Sequence, residues 1–102
     1  MILARVEGSV VATKKNPKMT GSKFLVVRPV VIDAKKPTEI KLGSSSLVVL
    51  DSLGAGEGEL VLVVQGSSAR LACDNKEVPV DAIIVGIVDT VDLGKTLLYR
   101  AQ

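Results

Sequence analysis

The sequence predicts an all-β protein, a small barrel of five to six strands with one short helix, and three observations carry that reading. Hydrophobic residues make up 47% of the 102, yet Phe24 and Tyr99 are the only aromatics. The core is therefore built from Val, Ile, Leu and Ala, and β-branched Val and Ile favour pleated strands. Short apolar segments recur along the chain, each bounded by Gly, Pro, Asn, Asp or Ser, the punctuation of strands and turns. Only residues 67–72 look like a helix, one or two turns long. A chain of this length is a single domain, here residues 1–102, with a thin core.

The elements follow in order. Ile2, Ala4, Val6, Gly8, Val10 and Ala12 alternate with Arg5, Glu7, Ser9 and Thr13, a period of two that gives a first strand with one apolar face. Residues 14–22 form a polar connection containing Asn16-Pro17 and Thr20-Gly21. Residues 24–32 resume as a strand, with Pro29 marking an edge or bulge. Residues 33–46 are polar around Lys35-Lys36-Pro37 and read as a loop or loose hairpin.

Residues 47–50 form a short strand, 51–58 a glycine-rich turn, and 60–64 another strand. In the helical segment a serine at the N-cap would accept an orphan backbone N–H. Residues 74–77 are turn-like, 78–80 extended and 83–88 a strand. Residues 91–99 close the chain as a hairpin around Gly94. A helix late in an order of five or six strands suits an OB-like barrel.

Segments 24–32, 60–64 and 83–88 are apolar on both faces. Strands buried on both sides normally carry helices over one face, and this chain has little helix to offer. Each exposed Val, Leu or Ile forfeits roughly 1.5–3 kcal/mol, and large apolar patches mark interfaces. The outer faces are therefore expected to be covered by other subunits.

Several chemistries are missing from the composition. The chain has no histidine, which removes Ser-His-Asp and Cys-His catalysis and the commonest metal ligand. One cysteine, Cys73, with scattered carboxylates does not build an ordinary zinc site, and it forms no internal disulfide. A reducing, cytoplasmic setting follows. The apolar N-terminus is interrupted at Arg5 and Glu7, too early for a signal peptide. No apolar run approaches the ~20 residues of a spanning helix. The expectation is neither enzyme nor cofactor carrier, and no membrane contact.

Two glycine motifs imitate nucleotide sites. Gly94-Lys95-Thr96 resembles the end of a phosphate-binding loop, but Asp89 stands where the motif needs its first glycine. Gly54-Ala55-Gly56 begins a dinucleotide fingerprint, but Glu59 replaces the third glycine and a strand follows instead of a helix. Asp89 and Asp92 are near neighbours in the chain, an arrangement that in principle allows a shared proton, although beside a turn they read as solvated or capping groups. A barrel of this kind also admits a nucleic-acid-binding module, and Lys14, Lys15, Lys18 and Lys23 form a basic cluster. Single-strand binding needs aromatic platforms, which two aromatics do not supply, and a net charge of +2 adds little attraction. A small enzyme using Cys73 is the third alternative.

The chain resembles the EutN/CcmL family of bacterial microcompartment vertex proteins nearly end to end. Residues 1–13 are similar to the family's opening strand, and Gly21-Ser22-Lys23-Phe24-Leu25-Val26-Val27 to its second. Asp51, Gly54-Ala55-Gly56, Gly58-Glu59 and Val61-Leu62-Val63 match its central motif. Gly66-Ser67-Ser68-Ala69-Arg70 and residues 80–89 complete the match, while residues 33–46 follow no family pattern. The resemblance implies an OB-like barrel that assembles as a homopentamer and caps the vertices of an icosahedral shell. It also implies hexameric shell proteins as partners, no nucleic acid, and a place in the bacterial cytoplasm.

Three groups of residues become candidates on that footing. Gly66, Ser67 and Ser68 open the helix, and read either as a pore-facing anion site or as an ordinary cap. Gly54, Ala55 and Gly56 are candidates for a loop whose small side chains let neighbours approach. Glu59 and Arg70 are candidates for an ion pair within or between subunits, and Asp81 for a cap or bridge near the following strand; ordinary solvation is the alternative for all three.

Overall fold

In a computed structural model, residues 1–13, 15–32, 35, 39–74 and 78–102 are described. The chain runs β1 (Ile2–Val10), a 3-10 turn (Pro17–Met19), β2 (Lys23–Ile32), β3 (Ile40–Leu42), β4 (Leu47–Asp51) and β5 (Leu60–Gln65). It continues through α1 (Ser67–Ala72), β6 (Ala82–Ile87) and a hairpin of β7 (Thr90–Leu93) and β8 (Thr96–Arg100). The main sheet has the order β1-β5-β6-β4-β2-β3, and β1 also pairs with β2. That extra pairing closes five strands into a barrel and leaves β3 as an addition to β2. All pairings are antiparallel except a short parallel one between β4 and β6, Leu50 opposite Ile83.

Closure removes the open edges that a five-stranded sheet would expose, and the period-two pattern fills the interior. Ala4, Val6, Leu25, Val27, Val49, Val61, Val63 and Ile84 form the inner core. The first strand departs from strict alternation at one place. A bulge between Val6 and Gly8 makes Glu7 the extra residue, and the phase of the strand reverses beyond it. Val10 therefore sits opposite Phe24 on the outer surface, and β1 ends there, so the apolar face expected to continue to Ala12 stops at Val6.

Of the two readings of residues 33–46, the loose hairpin is the one observed where the residues are described. Ile40–Leu42 pairs with Val30, Val31 and Ile32 beyond the point where β4 stops. Pro29 lies between those two partners, where no N–H is required of it, and its carbonyl accepts the Gly43 N–H at 2.8 Å. The Lys36-Pro37 centre of that segment, Lys14, and residues 75–77 of the turn expected at 74–77 lie outside the described residues. Val80 donates its N–H to the Val78 carbonyl, a tight turn where an extended run was expected.

The outer face of the barrel is covered in part by the chain itself. Leu50, Val64 and Ile83 point outward and pack with Ala69, Cys73, Val78 and Val80 from α1 and the segment after it. The expectation that other subunits cover these strands is narrowed here to the positions the chain leaves open. One and a half helical turns plus an irregular segment bury this part of the surface, and Cys73 is a small buried member of the cluster. Other outward positions remain open, including Val31 and Val48, each about half exposed at 51% and 52%.

Candidate functional site

The glycine-rich turn is organised by Asp51, a residue singled out in the sequence only as the start of a motif. Its side chain is fully buried, at 0% exposure. Oδ1 accepts the Leu53 N–H at 2.9 Å and the Gly54 N–H at 3.2 Å, and Oδ2 accepts the Ala55 N–H at 3.0 Å. The Lys23 ammonium stands 3.6 Å from Oδ2. An aspartate followed by a turn commonly binds backbone N–H groups two or more residues on, so the signal was present in the Asp51-Ser52-Leu53-Gly54 order. Gly54 adopts φ +83°, which an L-residue occupies only at a cost.

Gly54, Ala55 and Gly56 do not share one role. A Cβ on Gly54 would meet open space, whereas one on Gly56 would lie 3.1 Å from the Glu59 carboxylate. Ala55 is a core residue, packed inside the barrel. The loop's surface therefore consists of Ser52, Leu53, Gly54, Glu57 and Gly58, and Ala55 is not available to a neighbour.

Glu59 turns its carboxylate back to the Gly56 N–H and fastens the end of the same loop. Arg70 lies in α1, beyond the other end of β5. The six residues of β5 lie between them in the chain. The two make no ion pair with each other within the protomer.

At the entrance to α1 the structure corrects the expected cap. The N-cap is Gly66, with φ 66° and ψ −139°, so no serine side chain serves that position. The Gly66 carbonyl accepts the N–H groups of Ala69 and Arg70, and its own N–H donates to the Asp81 carbonyl at 2.8 Å. Asp81 thus holds the helix entrance through its backbone and leaves its side chain exposed. Ser67 and Ser68 are exposed as well. Glycine is required here because that φ and ψ combination is close to glycine-only territory.

The nucleotide imitations resolve into turns. Gly94 and Lys95 form the tight connection between β7 and β8, with Leu93 opposite Thr96 and Gly94 at φ 60°. The hairpin is tied to the barrel by Tyr99, whose hydroxyl accepts the Leu60 N–H at 3.3 Å, and its own base is closed by the Ala101 N–H on the Asp89 carbonyl. Among the described residues no group of three or more His, Cys, Asp and Glu is placed to hold a metal ion. No described helix is long and apolar enough to cross a membrane.

What the barrel offers instead is surface. Val48, Leu71, Leu93 and Leu97 are exposed apolar side chains on its outer face, its helix and its hairpin. On the outer side of β1 and β2, Arg28 Nε donates to Glu7 Oε1 at 2.9 Å, and the Ser46 hydroxyl reaches the same oxygen at 3.2 Å. Sequence reasoning missed this cluster because the bulge at Glu7 and the β1–β2 register bring its members together. The arrangement suits contact with other protein surfaces.

Known proteins place this architecture. The family model described as ethanolamine utilisation protein EutN/carboxysome matches residues 1–89. The chain is 48% identical over 90 residues to the Bacterial microcompartment shell vertex protein PduN of Salmonella typhimurium, covering 88% of this chain and 97% of that protein. It is 44% identical over 103 residues to the Carboxysome shell vertex protein CcmL of Synechocystis, covering 100% and 96%. The solved structure of the GrpN pentameric microcompartment shell protein from Rhodospirillum rubrum superposes with a TM-score of 0.76 at 42% identity, covering 92% of this chain and 100% of that one. The family match ends at Asp89, one residue before β7, and the Synechocystis alignment continues through the hairpin. With the closed barrel, the glycine turn and the α1 entrance all inside the matched region, the chain belongs to the EutN/CcmL family.

Proposed function

We infer that this chain is a structural shell protein of a bacterial microcompartment, and that five copies close a ring at a vertex of the shell. The observation carrying this reading is near-full-length identity of 44–48% to named shell vertex proteins, joined to structural likeness to a pentameric one. The physical features support it: a small closed barrel, exposed apolar side chains on several elements, and loops fixed by buried hydrogen bonds. Such a protein contributes shape, and its partners are its own copies and the hexameric proteins of the shell facets. Its place is the cytoplasm, in the microcompartment shell. The nucleic-acid alternative and a Cys73 enzyme draw no support, since the relatives are named as shell proteins and Cys73 is buried.

In this reading Ser67, Ser68 and the loop at Gly54 face neighbouring protomers or the ring axis, and Arg70 and Asp81 contribute polar contacts there. Native mass spectrometry at micromolar concentration tests the assembly. A complex of five times the 10.7 kDa protomer is expected. A monomer under those conditions overturns the reading.

A further inference from the structure

We infer that Arg5, on the outer face of β1, anchors the contact between neighbouring copies by taking a carboxylate from the next protomer. The inference rests on the ring-forming reading above.

Ala4 and Val6 fill the inside of the barrel, so Arg5 points outward. Its direct cross-strand neighbours are Leu60 on β5 and Arg28 on β2. Like charges directly opposite one another destabilise a sheet. Arg28 is answered within the chain by Glu7, which also receives the Ser46 hydroxyl. Arg5 is not answered: its Nε is buried and has no hydrogen-bond partner among the described residues.

Two guanidinium groups and one carboxylate leave a net positive charge on this face. It is flanked by half-buried Leu3 and Leu62, which sit opposite each other across β1 and β5. A charged donor left unsatisfied in such surroundings is costly, and an arginine ringed by apolar side chains is the usual form of an interface anchor. An incoming carboxylate on the Arg5 guanidinium offsets the repulsion from Arg28. The partner assigned is a second copy because a closed ring joins two different surfaces of one chain. This chain also carries exposed carboxylates away from Arg5, among them Glu57 and Asp92.

The test compares wild type, Arg5→Gln and Arg5→Met by native mass spectrometry across a dilution series, with thermal melts of the dissociated protomers. Losing one partner of a desolvated, hydrogen-bonded charge pair is expected to raise the concentration at the dissociation midpoint by about 30-fold or more. Arg5→Met removes the orphaned donor, so the isolated protomer should melt at or above the wild-type temperature while its ring weakens. That opposition of sign supports the inference. Rings of either variant that persist to wild-type dilution overturn it, as do variants whose protomers themselves lose their fold. If wild type forms no ring, the vertex reading fails instead, and the two failures remain distinct.

Discussion

Removing the Asp51 carboxylate should cost far more stability than any change at its visible ion-pair partner. The side chain is fully buried and receives three backbone N–H groups, from Leu53, Gly54 and Ala55. Hydrogen bonds to a charged group contribute about 1.5–3 kcal/mol each. Discounting the desolvation of the carboxylate itself, Asp51→Ala should lose about 3–5 kcal/mol, since three buried donors are left without an acceptor. Against a total of about 5–15 kcal/mol for a domain, that is a large share. Asp51→Asn keeps one carbonyl oxygen and should lose about 1–3 kcal/mol. The Lys23 side chain is 55% exposed and 3.6 Å away, so Lys23→Met should change stability by less than about 1 kcal/mol. Urea unfolding at one fixed protomer concentration gives all three values and keeps assembly from distorting the comparison. An Asp51→Ala unfolding free energy within about 1 kcal/mol of wild type would refute the view that this carboxylate organises the turn.

Two further substitutions probe the helix entrance and the core. Gly66→Ala should destabilise by about 1–3 kcal/mol through backbone strain, while Ser67→Ala should stay within about 0.5 kcal/mol because no serine caps α1; thermal melts of both proteins distinguish a glycine cap from a serine cap. Ile84→Ala, at 1% exposure in the barrel interior, should cost about 2–5 kcal/mol in denaturant unfolding, and a value below 1 kcal/mol would place that side chain outside the tight core.

The sequence by itself determined the architecture of this protein to a considerable depth. The alternation Ile2-Ala4-Val6, the apolar segments of β2, β5 and β6, and the turn at Gly94 were legible because strand periodicity and glycine placement are local properties. The absence of histidine and the shortage of aromatics excluded whole classes of chemistry before any fold was known. Both nucleotide imitations lie in turns between strands, with a strand following each as the spacing implied.

The tertiary structure decided what depends on register and closure. The bulge at Glu7 turned Val10 outward and set Arg5 opposite Arg28, which no one-dimensional period reveals. A short helix and the segment after it covered outer residues that the sequence assigned to other subunits. The Asp81 carbonyl reached Gly66 across fifteen residues and allowed a glycine to open the helix in place of a serine. Ala55 moved from a loop candidate into the core, because Asp51 folded the turn inward over the barrel mouth. Local pattern specifies which residues form strands; burial, pairing and the direction of each side chain come from how the strands meet.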